Sequence, residues 1–297
     1  MKLLFKKIGM PHCVRHDIVV SAALISLLSL ALMAAAFLYF LPGGGYHPPI
    51  LMYHHVLPKG GNQSKLVVDL AYFEKQMAFL KKRNYRVLPL DQFFLLILKN
   101  KPIPKKSVAI TFDDGYEDNY TYAYPILKKF KFPATIFLIA GKIGANGYLN
   151  WNQISEMTSH NIQFGNHTTS HPNLTEIDRE AVHKEIYDAD RLMNTKLRSI
   201  SPIFAYPSGA YNQIVIEEVK QMNYSAAVSA SVSREPAQNM VLNDRYGFKR
   251  VRISNSSKNL WVFWLVSSGY YPALKKLKYR LREIRKSLFN PFLTKDR

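Results

Sequence analysis

The sequence predicts an α/β protein: a parallel barrel of strands and helices, preceded by one membrane-spanning helix. Three observations predict it. Beyond residue 48, short β-type apolar runs alternate with amphipathic helical stretches, the pattern of βα units. Charged residues capable of chemistry stand at the ends of those runs, where parallel barrels gather their functional groups. Near the N-terminus, Ile18 to Leu41 is uncharged and mostly apolar, longer than the roughly 20 residues that span a bilayer.

The elements follow in chain order. Residues 1–17 form a basic N-terminus with Lys2, Lys6, Lys7 and Arg15, and 18–41 is the expected transmembrane signal-anchor. Residues 42–48, beginning Pro42-Gly43-Gly44-Gly45, read as a linker, and no basic residue recurs until Lys59. That asymmetry keeps the N-terminus cytoplasmic and sends the rest of the chain to the periplasmic or extracellular side, single-pass. Ala34-Ala35-Ala36 offers a signal-peptide cleavage site, but the apolar run continues past it, which favours an uncleaved anchor.

Within 49–258, the strands expected are Ile50–His54, Val108–Phe112, Ala134–Ile139, Ile162–Asn166, Pro202–Tyr206, Ser225–Ser229 and Arg250–Ile253. Asp69–Arg83 reads as a helix with Phe73, Met77 and Leu80 on one face and Lys81, Lys82 and Arg83 at its end. The polar stretch Glu176–Arg198 is a second helix. Seven strands alternating with helices suggest a barrel rather than an open sheet. The remaining segment, 259–297, differs: residues 260–266 are apolar but too short to span a membrane. After them Leu274, Leu277, Leu281, Ile284 and Leu288 recur at helical spacing among seven basic residues and one acid, Glu283. This is a basic amphipathic helix, suited either to a membrane interface or to packing on the barrel.

Composition narrows the function. The chain has 297 residues, 47% hydrophobic and 21% charged, with a formal net charge of +19. The lone cysteine, Cys13, excludes an internal disulfide and a cysteine metal site. No aromatic-interleaved basic module is present, so the charge points to an anionic membrane surface or an acidic polymer rather than to nucleic acid. Oligomeric state is not legible.

The chemistry concentrates in Thr111-Phe112-Asp113-Asp114-Gly115 and His167-Thr168-Thr169-Ser170-His171. Adjacent carboxylates at a strand end are costly unless paired, solvated or bound to a cation. Two histidines four apart can share a metal, and one Asp with two His leaves a coordination position open for water and a second Asp as base. Alone, an Asp-Asp-Gly is a turn and an HxxxH is common; together they mark a metal-dependent hydrolase.

These two motifs resemble those of the polysaccharide deacetylases, carbohydrate esterase family 4, over roughly residues 48–255. The resemblance implies a distorted (β/α)7 barrel, Asp113 as general base, and Asp114, His167 and His171 as ligands of a divalent metal. Zinc suits that set, and cobalt, nickel and iron also accept it. Tyr53-His54 ahead of the first motif is similar to the circularly permuted branch that includes poly-β-1,6-N-acetylglucosamine deacetylases. That likeness makes His54 the general acid, with His55 as the fallback. The third motif is represented by Ala205-Tyr206-Pro207-Ser208-Gly209, where Ala205 replaces an arginine and Ser208 an aromatic residue. The backbone N–H of Ser208 is the expected oxyanion donor. Arg250 is expected to orient Asp113, ahead of Arg252. Tyr206, Pro207 and Trp151 are the expected substrate contacts, Trp151 being equally explicable as packing at a helix start. The function expected is removal of N-acetyl groups from N-acetylhexosamine units of an extracytoplasmic glycan. Its rivals are deacylation of a lipid-linked sugar and a non-catalytic glycan-binding role.

Overall fold

Every residue of Ser107–Phe112 is buried, and this strand carries neighbours on both sides of its length. The computed structural model describes residues 21, 24–34, 46, 48–59, 64–230, 245–255, 259–271 and 282. In chain order the elements are β1 (Ile50–Tyr53), β2 (His55–Leu57), β3 (Val67–Asp69), α1 (Leu70–Lys82), β4 (Arg86–Val87), α2 (Leu90–Leu98), β5 (Ser107–Phe112) and α3 (Tyr124–Phe130). They continue with β6 (Ala134–Leu138), α4 (Trp151–Thr158), β7 (Ile162–Asn166), α5 (Arg179–Lys196), β8 (Ile203–Ala205), α6 (Gln213–Gln221), β9 (Ala226–Ala230), β10 (Phe248–Arg252) and α7 (Leu260–Ser267).

The main sheet is parallel in the order β7-β6-β5-β1-β10-β9-β8, the seven strands expected from the sequence. No ladder joins β7 to β8 among the described residues; Ser201 N–H donating to the Phe164 carbonyl at 2.7 Å bridges there instead. The barrel is therefore incompletely closed. Three short strands were not expected. β4 pairs with the start of β5, and β2 pairs with β3 in a separate two-stranded ribbon. Each of the three has a polar residue beside only one or two apolar ones, so none forms a continuous apolar run that reads as a strand.

Strand alternation sorts the core. One row, with Ile50, Ala109, Phe137, Ile203, Ala205, Ala226 and Val228, packs with Leu90, Phe93 and Phe94 of α2, which plug the barrel. The other row faces the surrounding helices: Leu51, Tyr53, Ile110, Phe112, Ile136 and Phe164 in one cluster, Phe204, Tyr206 and Ala227 in another. Parity places Asp113 in the inward row of Ala109 and Thr111, and His54 in that of Ile50 and Met52.

Helix ends follow local chemistry. Asp69 caps α1, its carboxylate accepting from Ala71 N–H, and Asp178 caps α5 through Ala181 N–H. Asn150 and Gln153 form a capping box at α4.

The chain divides into two units, Tyr46–Tyr279 and Met1–Gly45 with Arg280–Arg297. All ten strands and the three core clusters lie in Tyr46–Tyr279. Residues 24–34 of the expected span are helical, with Leu24, Ile25, Leu27 and Leu28 exposed. Among the described residues no helix is long and apolar enough to cross a membrane. Residues 1–17 and, Arg282 apart, the expected basic helix at 274–288 lie outside the described residues.

Candidate active site

The candidate site stands at the C-terminal ends of β1, β5 and β7, with Arg250 reaching in from within β10. Backbone hydrogen bonding continues past β5 as Asp113 N–H donates to the Tyr53 carbonyl at 3.0 Å, and then the chain turns sharply. Asp114 and Gly115 both adopt left-handed backbone conformations, with φ of 74° and 73°. The positive φ is what calls for glycine at 115, and a side chain there would also push on Leu138 Cδ2, 2.6 Å from where its Cβ would stand. The turn sets the two adjacent carboxylates to separate tasks.

Asp113 is ion-paired to Arg250. The guanidinium donates from Nη1 to Oδ1 and from Nη2 to Oδ2, both at 2.6 Å, and Nη1 also reaches Thr111 Oγ1 at 3.2 Å. Arg250 is wholly buried on β10, over the Phe137 ring at 5.4 Å. Burial raises the Asp113 carboxyl, but Arg250, with His167 and His54, outweighs it and holds the group down at about 2. The expected orienting role thus falls geometrically to Arg250; Arg252 is exposed.

Asp114 belongs to another cluster. Its Oδ1 lies 3.5 Å from His167 Nε2 and 3.6 Å from His171 Nε2, and the three ligand atoms are within 4.8 Å of one another. Ligands about 2.1 Å from one tetrahedral cation stand about 3.4 Å apart. Oδ1 is buried and has no hydrogen-bond partner in the protein, the condition of an atom whose partner is a cation. His167 is preset for the task. Its Nδ1 donates to the Ala205 carbonyl at 2.8 Å, leaving the Nε2 lone pair facing Asp114, and burial pushes its pKa down, favouring the neutral ring. The residues fit a divalent metal.

The loop between the histidines is fastened at every step. Thr168 N–H donates to Asn166 Oδ1 at 2.6 Å, and His171 N–H to Thr168 Oγ1 at 3.0 Å. Glu185 of α5 accepts Thr169 N–H at 3.0 Å, Ser170 N–H at 2.8 Å and Ser170 Oγ–H at 2.7 Å. Thr168 and His171 have φ of 68° and 65°, strain which those bonds offset. Asn166, Glu185 and the Ala205 carbonyl were not anticipated. Glu185 lies on a polar helix where one carboxylate among many gives no signal, and a carbonyl gives none at all.

His54 directly follows β1, its Nδ1 buried and without a partner, close enough to Asp113 and Asp114 for their charges to act on it. Burial lowers its pKa, against the upward pull of those carboxylates. His55 has turned away into the β2 ribbon. Its Nδ1 bonds Asp118 at 2.6 Å and its ring stacks on Tyr116 at 3.7 Å, which explains it structurally.

The third-motif expectation needs correction at two side chains. Tyr206 is fully buried, donates its hydroxyl to the Tyr246 carbonyl at 2.8 Å and stacks on Tyr211, and Pro207 is buried too. Outward parity puts Tyr206 in the helix-facing core, so neither side chain offers a sugar-binding surface. Ser208 is the exposed residue of the turn, with φ 54°. Trp151, at the start of α4, is half-buried and packs on the core, which favours its packing role. Half-buried aromatic surface comes instead from Tyr116, whose hydroxyl pKa is raised by burial and then by Asp114, and from Tyr148 against it at 5.2 Å.

A parallel barrel carrying an Asp-His-His cluster beside a separately held carboxylate is a hydrolase architecture of the deacetylase kind. The family model described as polysaccharide deacetylase matches residues 100–227. The chain is 34% identical over 206 residues to YxkH of Bacillus subtilis (strain 168), whose name assigns it to the polysaccharide deacetylases; the match covers 69% of this chain and 71% of that one. It is 30% identical over 204 residues to the poly-β-1,6-N-acetyl-D-glucosamine N-deacetylase of Staphylococcus aureus (strain MRSA252), covering 64% and 69%. Among solved structures, Streptococcus pyogenes deacetylase PplD in complex with acetate superposes with a TM-score of 0.64 at 30% identity, over 72% of this chain and 96% of that one. The chain belongs to the polysaccharide deacetylase family, carbohydrate esterase family 4.

Proposed function

We propose that the protein is a metal-dependent hydrolase that removes N-acetyl groups from N-acetylhexosamine units of a glycan outside the cytoplasmic membrane. The observation that carries this reading is the division of labour between adjacent carboxylates: Asp114 in the cation cage, Asp113 held out of it by Arg250. The name of the Staphylococcus aureus relative supports a β-1,6-linked N-acetylglucosamine polymer as substrate, and PplD was solved with acetate, the acid such a reaction releases.

Asp114, His167 and His171 would hold the ion, zinc or another divalent metal of similar ligand preference. When bound, it supplies acidified water and a polarised acyl oxygen. Arg250 keeps the Asp113 carboxylate ionised and so able to accept a proton. Asp113 takes the proton as the water oxygen attacks the acetamide carbon. The Ser208 backbone N–H faces the acyl oxygen in this scheme. His54 gives a proton to the nitrogen as the C–N bond breaks, leaving acetate and an amine. The N-terminal charge asymmetry around 18–41 supports a membrane-tethered domain on the outer side of the cytoplasmic membrane.

The test is acetate release from β-1,6-linked N-acetylglucosamine oligomers by metal-stripped protein before and after zinc or cobalt is restored. Release only after restoration supports the reading; release without metal contradicts it. A second reading, deacylation of a lipid-linked sugar, draws on the exposed tryptophans of α7. It is selected if detergent-dispersed lipid-linked N-acetylglucosamine reacts and soluble oligomers do not.

A further inference from the structure

The helix α7, Leu-Trp-Val-Phe-Trp-Leu-Val-Ser, is apolar on nearly every face, yet only part of it is covered. Phe263 and Val266 are buried, and Phe263 meets Phe79 of α1 edge to face at 5.8 Å. On the other side Trp261 is 75% exposed and Trp264 43%, the two rings in an edge contact at 5.4 Å. Between them and α1 lies a groove of about 670 Å³, floored by Phe79 and rimmed by Lys75, Lys82 and Arg83. No carboxylate lines it, and it shares no residue with the active site.

We infer that this face docks on a bilayer bearing anionic phospholipid headgroups. Tryptophan is amphipathic, and its indole is favoured where one end is apolar and the other wet, at the headgroup level of a membrane. Lysine and arginine beside it pair with phosphate, while their aliphatic stems extend the apolar surface. A neutral glycan calls for acceptors as well as donors, whereas the Lys, Arg and Trp side chains here only donate, and a deacetylated glycan is a polycation that the rim repels. The chain's own segment 272–297 is also strongly basic, nine Lys and Arg against two acids, and is repelled likewise. The complementary partner is an anionic, amphipathic surface. Docking of this kind would hold the barrel at the membrane independently of the expected N-terminal anchor.

The fragment 46–279 separates the face from residues 1–45 and 280–297, keeping only Lys275, Lys276 and Lys278 of the basic segment. It contains every strand and core cluster of the described residues, and PplD is matched over 96% of its own length by 72% of this chain. Co-sedimentation with vesicles of equimolar phosphatidylcholine and phosphatidylglycerol is compared with phosphatidylcholine alone. The fragment is expected to sediment with the anionic vesicles, with a blue shift of tryptophan fluorescence, and to stay in solution with the neutral ones. Trp261→Ser with Trp264→Ser, and separately Lys75→Glu with Lys82→Glu, each weaken binding about tenfold or more. These side chains are on the surface, so circular dichroism of both variants should match the parent. Absence of binding to anionic vesicles, equal binding to neutral ones, or variants that bind like the parent would overturn the proposal. So would loss of binding on restoring residues 280–297, which would make that segment the occupant. None of these readouts depends on catalytic activity.

Discussion

Among single residues, Arg250 and Asp113 show most plainly how the fold makes chemistry. Neither side chain survives burial alone, and each holds the other in place through two hydrogen bonds. Arg250→Met should therefore cost about 3–5 kcal/mol by leaving a buried carboxylate unpaired. The double variant Asp113→Leu with Arg250→Met should recover much of that loss in urea unfolding, although it cannot be active. If the double variant is no more stable than Arg250→Met, the pair is not the unit we describe. Glu185 gives a second prediction at this scale. It touches no ligand atom but fixes the amides of Thr169 and Ser170. Glu185→Ala should lower zinc affinity about 10–100-fold in a chelator competition while the fold persists; unchanged affinity would remove it from the account. Residues whose role is carried by side-chain type and spacing, Asp113, Asp114, His167 and His171, were readable in the sequence. Residues whose role depends on where a side chain points were not. Tyr206 looked like a groove wall beside Pro207, but one-residue parity sends it outward into the core.

The elements that position these residues were legible to different degrees, for physical reasons. The seven strands of the main path announced themselves because continuous apolar runs between polar segments are what buried parallel strands require. β2, β3 and β4 each include a polar residue among one or two apolar ones and give no continuous run, although it is β2 that carries His55 away from the site. The loop after β7 is held by a close approach: a methyl group at Gly141 would stand 2.6 Å from the Thr169 carbonyl oxygen. Backbone cannot yield as a flexible side chain can, so Gly141→Ala should displace this loop. We expect weaker metal binding, measured by zinc titration, with a smaller effect on the unfolding midpoint. Between α5 and α6, buried Glu218 accepts from Arg179 Nε at 2.6 Å and pairs with His183 at 3.1 Å. Burial raises Glu218, and Arg179 and His183 outweigh it, so the folded value lies below the ordinary 4.5. A depressed carboxylate stabilises the fold above its unfolded value, and that contribution fades as pH falls through the folded one. The melting temperature of the parent should thus drop more steeply below about pH 4.5 than that of Glu218→Gln; parallel curves would contradict this.

At the scale of the whole molecule, the barrel brings the ends of β5 and β7 together as a candidate cation site beside a fixed carboxylate, with a tryptophan-lined flank elsewhere. A ligand bound only by the folded state at a thousandfold excess over its dissociation constant adds about 4 kcal/mol. Chelation should therefore lower the melting temperature of the zinc-loaded protein by about 10 °C. Differential scanning calorimetry checks this, and an unchanged midpoint would argue against the cage as a metal site. The family and the barrel were legible from two motifs and their spacing. The open β7–β8 seam was not, because the absence of a ladder leaves no mark on strand composition. The central claim is that Asp113 does chemistry that the metal ligands do not. The most direct measurement is amine release from N-acetylglucosamine oligomers by Asp113→Asn, alongside its bound metal counted by mass spectrometry of the native protein. The account predicts full metal occupancy with amine release lost. Release at the parent's rate would contradict it, as would loss of the metal together with the activity.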